Sequence, residues 1–159
     1  MMVNAPRLED RLGPNEPPYK SRGEAQVGRL LDHYGIPFFY EHPLTVHDRG
    51  RDRVWHPDFT LPQYAWLILE YAGMPDKADY MAGIRHKRDA YDTNGIPAVF
   101  IYPQDLRGPY WREEVHSTIL TAYEKSLARP AFTRYRARSG VQPYPCTPRG
   151  PCSWRGYRR

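Results

Sequence analysis

Residues 1–145 contain no cysteine, and the two that follow, Cys146 and Cys152, have neither zinc-ribbon spacing nor a histidine beside them. That excludes a disulfide-stapled body and a structural zinc centre. The pair reads as two free thiols, a single disulfide near the end being the other account. Apolar runs long enough to span a bilayer are missing, and so is the apolar centre of a signal peptide. The expectation is a cytoplasmic, nucleoid-associated protein with no membrane partner. Internal repeats are absent too. The most telling absence is acid beyond residue 128. All 18 Asp and Glu lie in 1–128 beside 15 Lys and Arg, a balance of −3, whereas 129–159 holds 8 arginines and no lysine. A mildly acidic body thus carries a strongly basic tail. Nucleic acid is the natural partner for such a tail; a solubilising extension or a membrane-surface contact shows the same composition.

Three segments follow from composition and patterning. Residues 1–20, rich in Pro, Gly and charge, read as a flexible arm. Residues 21–128 are long enough for one domain with a proper core. Residues 129–159 alternate Pro, Arg, Gly and aromatics without a period and are expected to be disordered on their own. Within the body, Ser21 with Glu24 three residues on forms a capping-box pattern. Val27, Leu30, Leu31 and Tyr34 then recur at helical spacing until Gly35 and Pro37. Residues 38–46 are strand-like with a break at Pro43, and Asp48–Asp52 reads as a turn. Strands are expected over 54–61 and 65–71, joined through Pro62-Gln63 as a hairpin. A helix over 76–94, a short apolar strand at 98–102 and a helix over 112–128 complete the order α-β-β-β-α-β-α. On that last helix Val115, Ile119, Ala122 and Ser126 share a face. The fold class is α/β, with a mixed sheet flanked by helices.

Chemistry concentrates at three residues. In the first hairpin strand, Trp55, Phe59 and Leu61 alternate with His56, Asp58 and Thr60, so Asp58 leaves the face that its apolar neighbours occupy. Glu70 ends the almost continuously apolar run 65–71, where an unpaired carboxylate is costly to bury. The hairpin brings the two acids together, and a shared proton or a divalent cation relieves their repulsion. On the next helix Tyr80, Ile84, Lys87 and Tyr91 fall within about 60° of one another, which puts Lys87 on the inward face. A cation beside two metal-binding carboxylates is the equipment of phosphodiester hydrolysis. The plainer accounts are a snorkelling lysine, a strand-end aspartate acting as a cap, and a structural salt bridge at Glu70.

In order along the chain, Ser21-x-x-Glu24, Gly35-Ile36-Pro37-Phe38 with Tyr40-Glu41, and Pro57-Asp58-Phe59 are followed by Glu70-Tyr71-Ala72-Gly73-Met74. Tyr80, Lys87, Tyr91 with Asn94-Gly95-Ile96, and Tyr102-Pro103-x-Asp105-Leu106 continue the series. Taken together, residues 21–106 resemble the PD-(D/E)XK nuclease superfamily, the restriction-endonuclease-like fold. They look closest to the small domains found alone or fused to superfamily I helicases. The resemblance implies a metal-dependent deoxyribonuclease, an endonuclease of repair, recombination or host–element conflict, leaving 5′-phosphate ends. It implies Mg²⁺, with Mn²⁺ as substitute, on Asp58 and Glu70, and a first-helix contact from Glu24 to the metal or its waters. Glu24 as a plain capping residue is the alternative. The family's usual lysine, two residues after the glutamate, is replaced here by Ala72, and Lys87 on the following helix is expected to take its place.

Around this centre, Arg49, Arg51 and Arg53 either follow a DNA backbone or decorate a solvated turn. His56 either touches substrate or is an ordinary polar strand residue. Glu41 flanks the site or pairs with a surface arginine, and Tyr71, Tyr80 and Tyr91 read mainly as packing. In the tail, Arg134, Arg136 and Arg138 are placed to neutralise phosphates, with Tyr135 or Trp154 stacking on bases. Partners implied are DNA, a second copy for cutting both strands, and a helicase or other DNA-processing protein. Two other classes compete: a catalytically inactive nuclease-fold module that binds nucleic acid, and a small scaffold whose tail recruits a partner. Deleting 129–159 should weaken DNA binding and flatten its dependence on NaCl, since up to 8 arginines no longer displace counterions. Binding isotherms across a salt series check this, and an unchanged slope returns the tail to an inert extension.

Overall fold

The computed structural model describes residues 16–128. Helix α1 (Arg22–His33) begins at Ser21, whose hydroxyl accepts the Glu24 amide at 3.1 Å. Its apolar stripe is buried through Val27, Leu30 and Leu31, and the chain leaves it at Gly35, whose φ of 64° suits glycine. Strands β1 (Phe39–Tyr40), β2 (Leu44–Asp48), β3 (Arg51–Trp55), β4 (Phe59–Leu61) and β5 (Leu67–Tyr71) follow. Helix α2 (Ala78–Thr93), strand β6 (Ala98–Ile101), a 3-10 turn (Pro103–Leu106) and helix α3 (Trp111–Leu127) complete the described chain. The protein is mixed α/β, and none of these helices is long and apolar enough to cross a membrane.

Two sheets form where one was expected. The larger runs β1-β4-β5-β6, with β1, β4 and β5 antiparallel and β6 parallel to β5 across the α2 crossover. The smaller is the β2–β3 hairpin. Each of the first two expected strands is therefore split, so the order α-β-β-β-α-β-α gains two strands. The 38–46 run breaks ahead of Pro43, at Glu41, whose φ is 51°. The 54–61 run breaks at His56-Pro57-Asp58, where proline has no N–H to give a ladder. Trp55 consequently belongs to the hairpin and packs with Leu44, Val46 and Tyr91, not with Phe59 and Leu61. Strand β5 starts at Leu67 rather than 65, because Ala65 and Trp66 turn in the left-handed region at φ 58° and 59°. The connection from β4 is longer than Pro62-Gln63 by these residues.

The core lies on both faces of the larger sheet. Phe59, Leu61, Leu67 and Leu69 meet α1 and α3, while Ile68 faces Tyr91 and Ile96 on the α2 side. As expected, Val115, Ile119 and Ser126 of α3 are buried, with Ala122 packed against them. The flexible arm assigned to 1–20 ends earlier than the sequence indicated. Tyr19 is 4% exposed among Tyr40 and Phe59, and Glu16 pairs with Arg29 at 2.9 Å. Residues 16–20 thus belong to the body; the rest of the arm and the whole 129–159 tail lie outside the described residues.

Asn94, just past α2, ties the hairpin to the helix. Its side chain accepts the His47 amide at 3.0 Å and donates to the His47 carbonyl at 2.9 Å. The pair of bonds mimics a strand neighbour at an open edge. Asn94→Ala leaves both backbone groups without that partner and should cost about 2 kcal/mol, read from guanidinium unfolding; a loss near zero would mean water replaces the side chain fully.

Candidate functional site

The β4–β5 register sets the site. Thr60 pairs with Ile68 and Phe59 with Leu69, so one further step places Asp58 opposite Glu70. Asp58 Oδ2 accepts the backbone N–H of Tyr71 at 2.7 Å, which extends the ladder with a side chain where the strand has ended. Its Oδ1 has no partner among the described residues. Glu70 is 2% exposed, deep in a run of buried leucines and isoleucine. Both of its oxygens are answered from α2. Lys87 Nζ donates to Oε2 at 2.7 Å, and Tyr91 Oη donates to Oε1 at 2.5 Å. The helical face drawn from Tyr80 to Tyr91 is the face that packs inward, with Ile84 and Tyr91 buried and Arg85 and Asp89 exposed. Tyr91 is the functional residue the sequence underrated. It stands one helical turn beyond Lys87 on the same face, and that spacing was the available signal.

Tyr80 supports the strand end. Its hydroxyl accepts the Gly73 amide at 3.1 Å and donates to the Tyr71 carbonyl at 3.4 Å. Ala72, where the family's lysine would stand, is fully buried, and its amide donates to the Ile101 carbonyl at 2.8 Å. The positive charge beside Glu70 comes from α2 instead. The tyrosines at 71, 80 and 91 pack as expected, but two of their three hydroxyls also carry the hydrogen bonds that hold the site.

Glu24 closes the other side, where its hydrogen bonds are those of the capping account. Oε1 accepts the Ser21 hydroxyl at 2.8 Å, and Oε2 accepts the Lys20 amide at 3.1 Å and the Tyr40 hydroxyl at 2.5 Å. Helix α1 comes close enough because residue 23 is glycine: a Cβ there would fall 1.9 Å from the Tyr71 ring. Burial and the Glu24 charge push the Tyr40 phenol well above its ordinary range.

Charge repulsion marks Asp58. Its carboxyl rises from 3.8 to about 7, first because burial penalises the anion, then through the charge of Glu70 and, less, of Glu24. The Tyr71 amide and Lys87 oppose that rise. No group of three or more His, Cys, Asp or Glu that could hold a metal ion forms among the described residues. Asp58 and Glu70 still suit magnesium, which takes one or two carboxylates and completes its shell with water and substrate oxygen. An uncommitted Asp58 oxygen and a raised Asp58 carboxyl are what a hard cation would satisfy. Glu24 Oε2 already accepts two hydrogen bonds and Oε1 one, whereas each Glu70 oxygen accepts one, so Glu24 contributes charge to the site more readily than a ligating atom.

The remaining candidates make no side-chain contact with Asp58 or Glu70 among the described residues. His56 is exposed, with Nδ1 3.1 Å from the Glu41 carbonyl oxygen. Glu41 pairs with Lys20, not with an arginine. Arg49 and Arg51 are exposed on the hairpin, whereas Arg53 Nε is 3.4 Å from buried Asp48, which also takes His86 Nε2 at 3.0 Å. Those arginines sit in the smaller sheet, not in the sheet that carries the carboxylates. Asp105 of the Tyr102-Pro103-x-Asp105-Leu106 segment has a local role, accepting the Tyr102 amide at 2.8 Å to cap the 3-10 turn. Arg134, Arg136 and Arg138 lie outside the described residues. Comparison with known proteins finds no family model, no curated protein and no solved structure that matches this chain.

The raised Asp58 carboxyl fixes a sign. Protonating Asp58 favours the metal-free fold, a contribution complete below the ordinary carboxylate value of 3.8 and lost as pH rises through about 7. Asp58→Asn removes the ionisation. In EDTA the mutant's advantage over wild type should grow between those two pH values and then level off. Denaturant titrations of both proteins across that window check it; parallel stability curves would mean that Asp58 is not strained by its neighbours.

Proposed function

We propose that the chain is a magnesium-dependent deoxyribonuclease of restriction-endonuclease-like fold, hydrolysing DNA phosphodiester bonds as an endonuclease. The observation that carries this reading is the buried Glu70, held by Lys87 from the following helix, directly across the register from the strained carboxyl of Asp58. The mixed sheet with its parallel β6 and the helix-borne lysine support it, as does the ordered series of short motifs along residues 21–106.

Asp58 and Glu70 would hold the ion, and Mn²⁺ should substitute for Mg²⁺. When bound, the ion supplies charge neutralisation at the scissile phosphate and acidifies the attacking water. The chain's own groups do the rest. Tyr91 and Lys87 fix the rotamer of Glu70 by occupying one face of each oxygen, so its remaining lone pairs have a defined direction. The Tyr71 amide does the same for Asp58. The Lys87 ammonium keeps two hydrogens free beyond Glu70, and its side chain is 37% exposed, so one of them can meet a non-bridging phosphate oxygen as negative charge builds there. Glu24 holds α1 against this arrangement through Ser21 and Tyr40 and adds negative potential that favours cation binding.

The test is incubation of the purified protein with labelled duplex, single-stranded and branched DNA in Mg²⁺, Mn²⁺, Ca²⁺ or EDTA. Cleavage is expected with the first two only, since calcium's looser coordination positions water poorly. Asp58→Asn and Glu70→Gln should each abolish it. Lys87→Ala should slow it by about a hundredfold, the scale of one preorganised transition-state contact, while weakening metal binding far less. Tyr91→Phe should slow it less than Lys87→Ala, because it frees the Glu70 rotamer without removing a charge. Wild-type cleavage by the Lys87→Ala protein would remove Lys87 from the mechanism, and binding without cleavage in any metal would leave a fold that holds nucleic acid without this chemistry.

A further inference from the structure

Beside the carboxylates stands an ion pair that the hydrolytic reading does not use. Lys20 Nζ is bonded to the Glu41 carboxylate, its one partner among the described residues. The side chains are 67% and 30% exposed, and an exposed pair of this kind adds little to stability. Its placement is nevertheless heavily determined. The Lys20 amide donates to Glu24 Oε2 at 3.1 Å and to the Tyr40 hydroxyl at 3.0 Å. The Glu41 amide donates to the Asp58 carbonyl at 3.1 Å, and the Glu41 carbonyl meets His56 Nδ1. Each partner's backbone is thus bonded to a carboxylate-bearing residue of the site. Glu41 also holds φ at 51°, a left-handed conformation that a non-glycine residue keeps only when its surroundings enforce it. Tyr19 next to Lys20 is locked in the core, so the lysine backbone does not drift. The Lys20 charge is felt by Glu24 and Asp58 as well as by Glu41. The site therefore has two cations from different elements, Lys87 of α2 on Glu70 and Lys20 of the entry to α1 on Glu41.

We propose that Lys20 binds a backbone phosphate of the DNA next to the one that is cut, and that Glu41 is its counter-ion in the free protein, displaced when the phosphate arrives. This rests on the nuclease reading for its substrate. Lys20 acts on binding and register, not on the reacting atoms. A lysine ammonium exchanges one carboxylate for a phosphate oxygen without leaving either anion buried, because the pair faces water. Glu41 then competes with the substrate, and its removal should help binding, the reverse of what loss of a structural salt bridge does.

The experiment uses the full chain in Ca²⁺ with fluorescein-labelled duplex, single-stranded and branched DNA, titrated across a NaCl series, beside cleavage kinetics in Mg²⁺. Lys20→Gln should weaken binding several-fold and lower the salt slope by about one unit, the loss of one phosphate contact. Glu41→Gln should tighten binding, and the double variant should match Lys20→Gln. Lys20→Arg should bind like wild type, which guards against misreading a folding defect. In cleavage, Lys20→Gln should raise KM with a much smaller fall in kcat. The inference is overturned if Glu41→Gln binds more weakly than wild type, if Lys20→Gln binds equally well, or if wild type binds none of the three DNA forms. Cleavage that ignores Lys20 sinks this inference alone. Binding that depends on Lys20 with no cleavage in any metal sinks the nuclease reading alone.

Discussion

A carboxylate at 2% exposure inside a run of leucines is tolerable only if its charge is met on the spot, and Glu70 meets its charge from a single helix. Lys87 and Tyr91 each give one hydrogen to one oxygen, from positions one turn apart on α2. This demand fixes much else. Helix α2 must cross the sheet at the end of β5, which in turn delivers β6 parallel to β5. The hairpin β2–β3 packs beside α2, with Leu44 and Val46 in one buried cluster with Ile68 and Tyr91, and Asn94 and the Asp48–His86 contact clasp it. Removing either donor would leave a buried anion partly unpaired, a heavier penalty than the bond itself is worth.

The second constraint is that acids are brought together and not all of them are neutralised. Glu70 has Lys87, and Glu24 has three donors around it, but Asp58 has one amide and two anionic neighbours. Burial first, and those anionic neighbours second, raise its carboxyl against the pull of the Tyr71 amide and Lys87. Three carboxylates within electrostatic reach of one another are what the proposed cation would neutralise. The surrounding bonds serve to hold rotamers: Tyr80 pins the chain after β5, Tyr40 pins Glu24, and Gly23 lets α1 lie against Tyr71.

The grouping of Asp58, Glu70 and Lys87 is legible in the sequence, because the apolar run of β5 is continuous and Tyr80, Ile84 and Tyr91 share a face of α2 with Lys87. What escaped is governed by single backbone angles or by contacts between distant segments. The break at His56-Pro57-Asp58 had its signal in proline, overruled by the apparent alternation on either side. The left-handed step at Ala65-Trp66 had none, since neither residue favours it. Lys20 and Tyr19 were assigned to the arm because a short Pro-rich stretch shows no periodicity, yet one buried aromatic anchors them. Tyr91 reads as a packing residue and Tyr40 only as part of a short motif, and only the fold reveals that their hydroxyls reach carboxylates.

The central claim is that Asp58 and Glu70 form one cation site with Lys87 beside it. Anomalous diffraction from crystals grown with Mn²⁺ tests it most directly, since manganese scatters distinctively and substitutes for magnesium in an oxygen site. The account predicts a single strong peak between the Asp58 and Glu70 carboxylates, with Lys87 still turned towards them. A peak elsewhere, no peak at saturating Mn²⁺, or Lys87 extended into solvent away from both acids would contradict it.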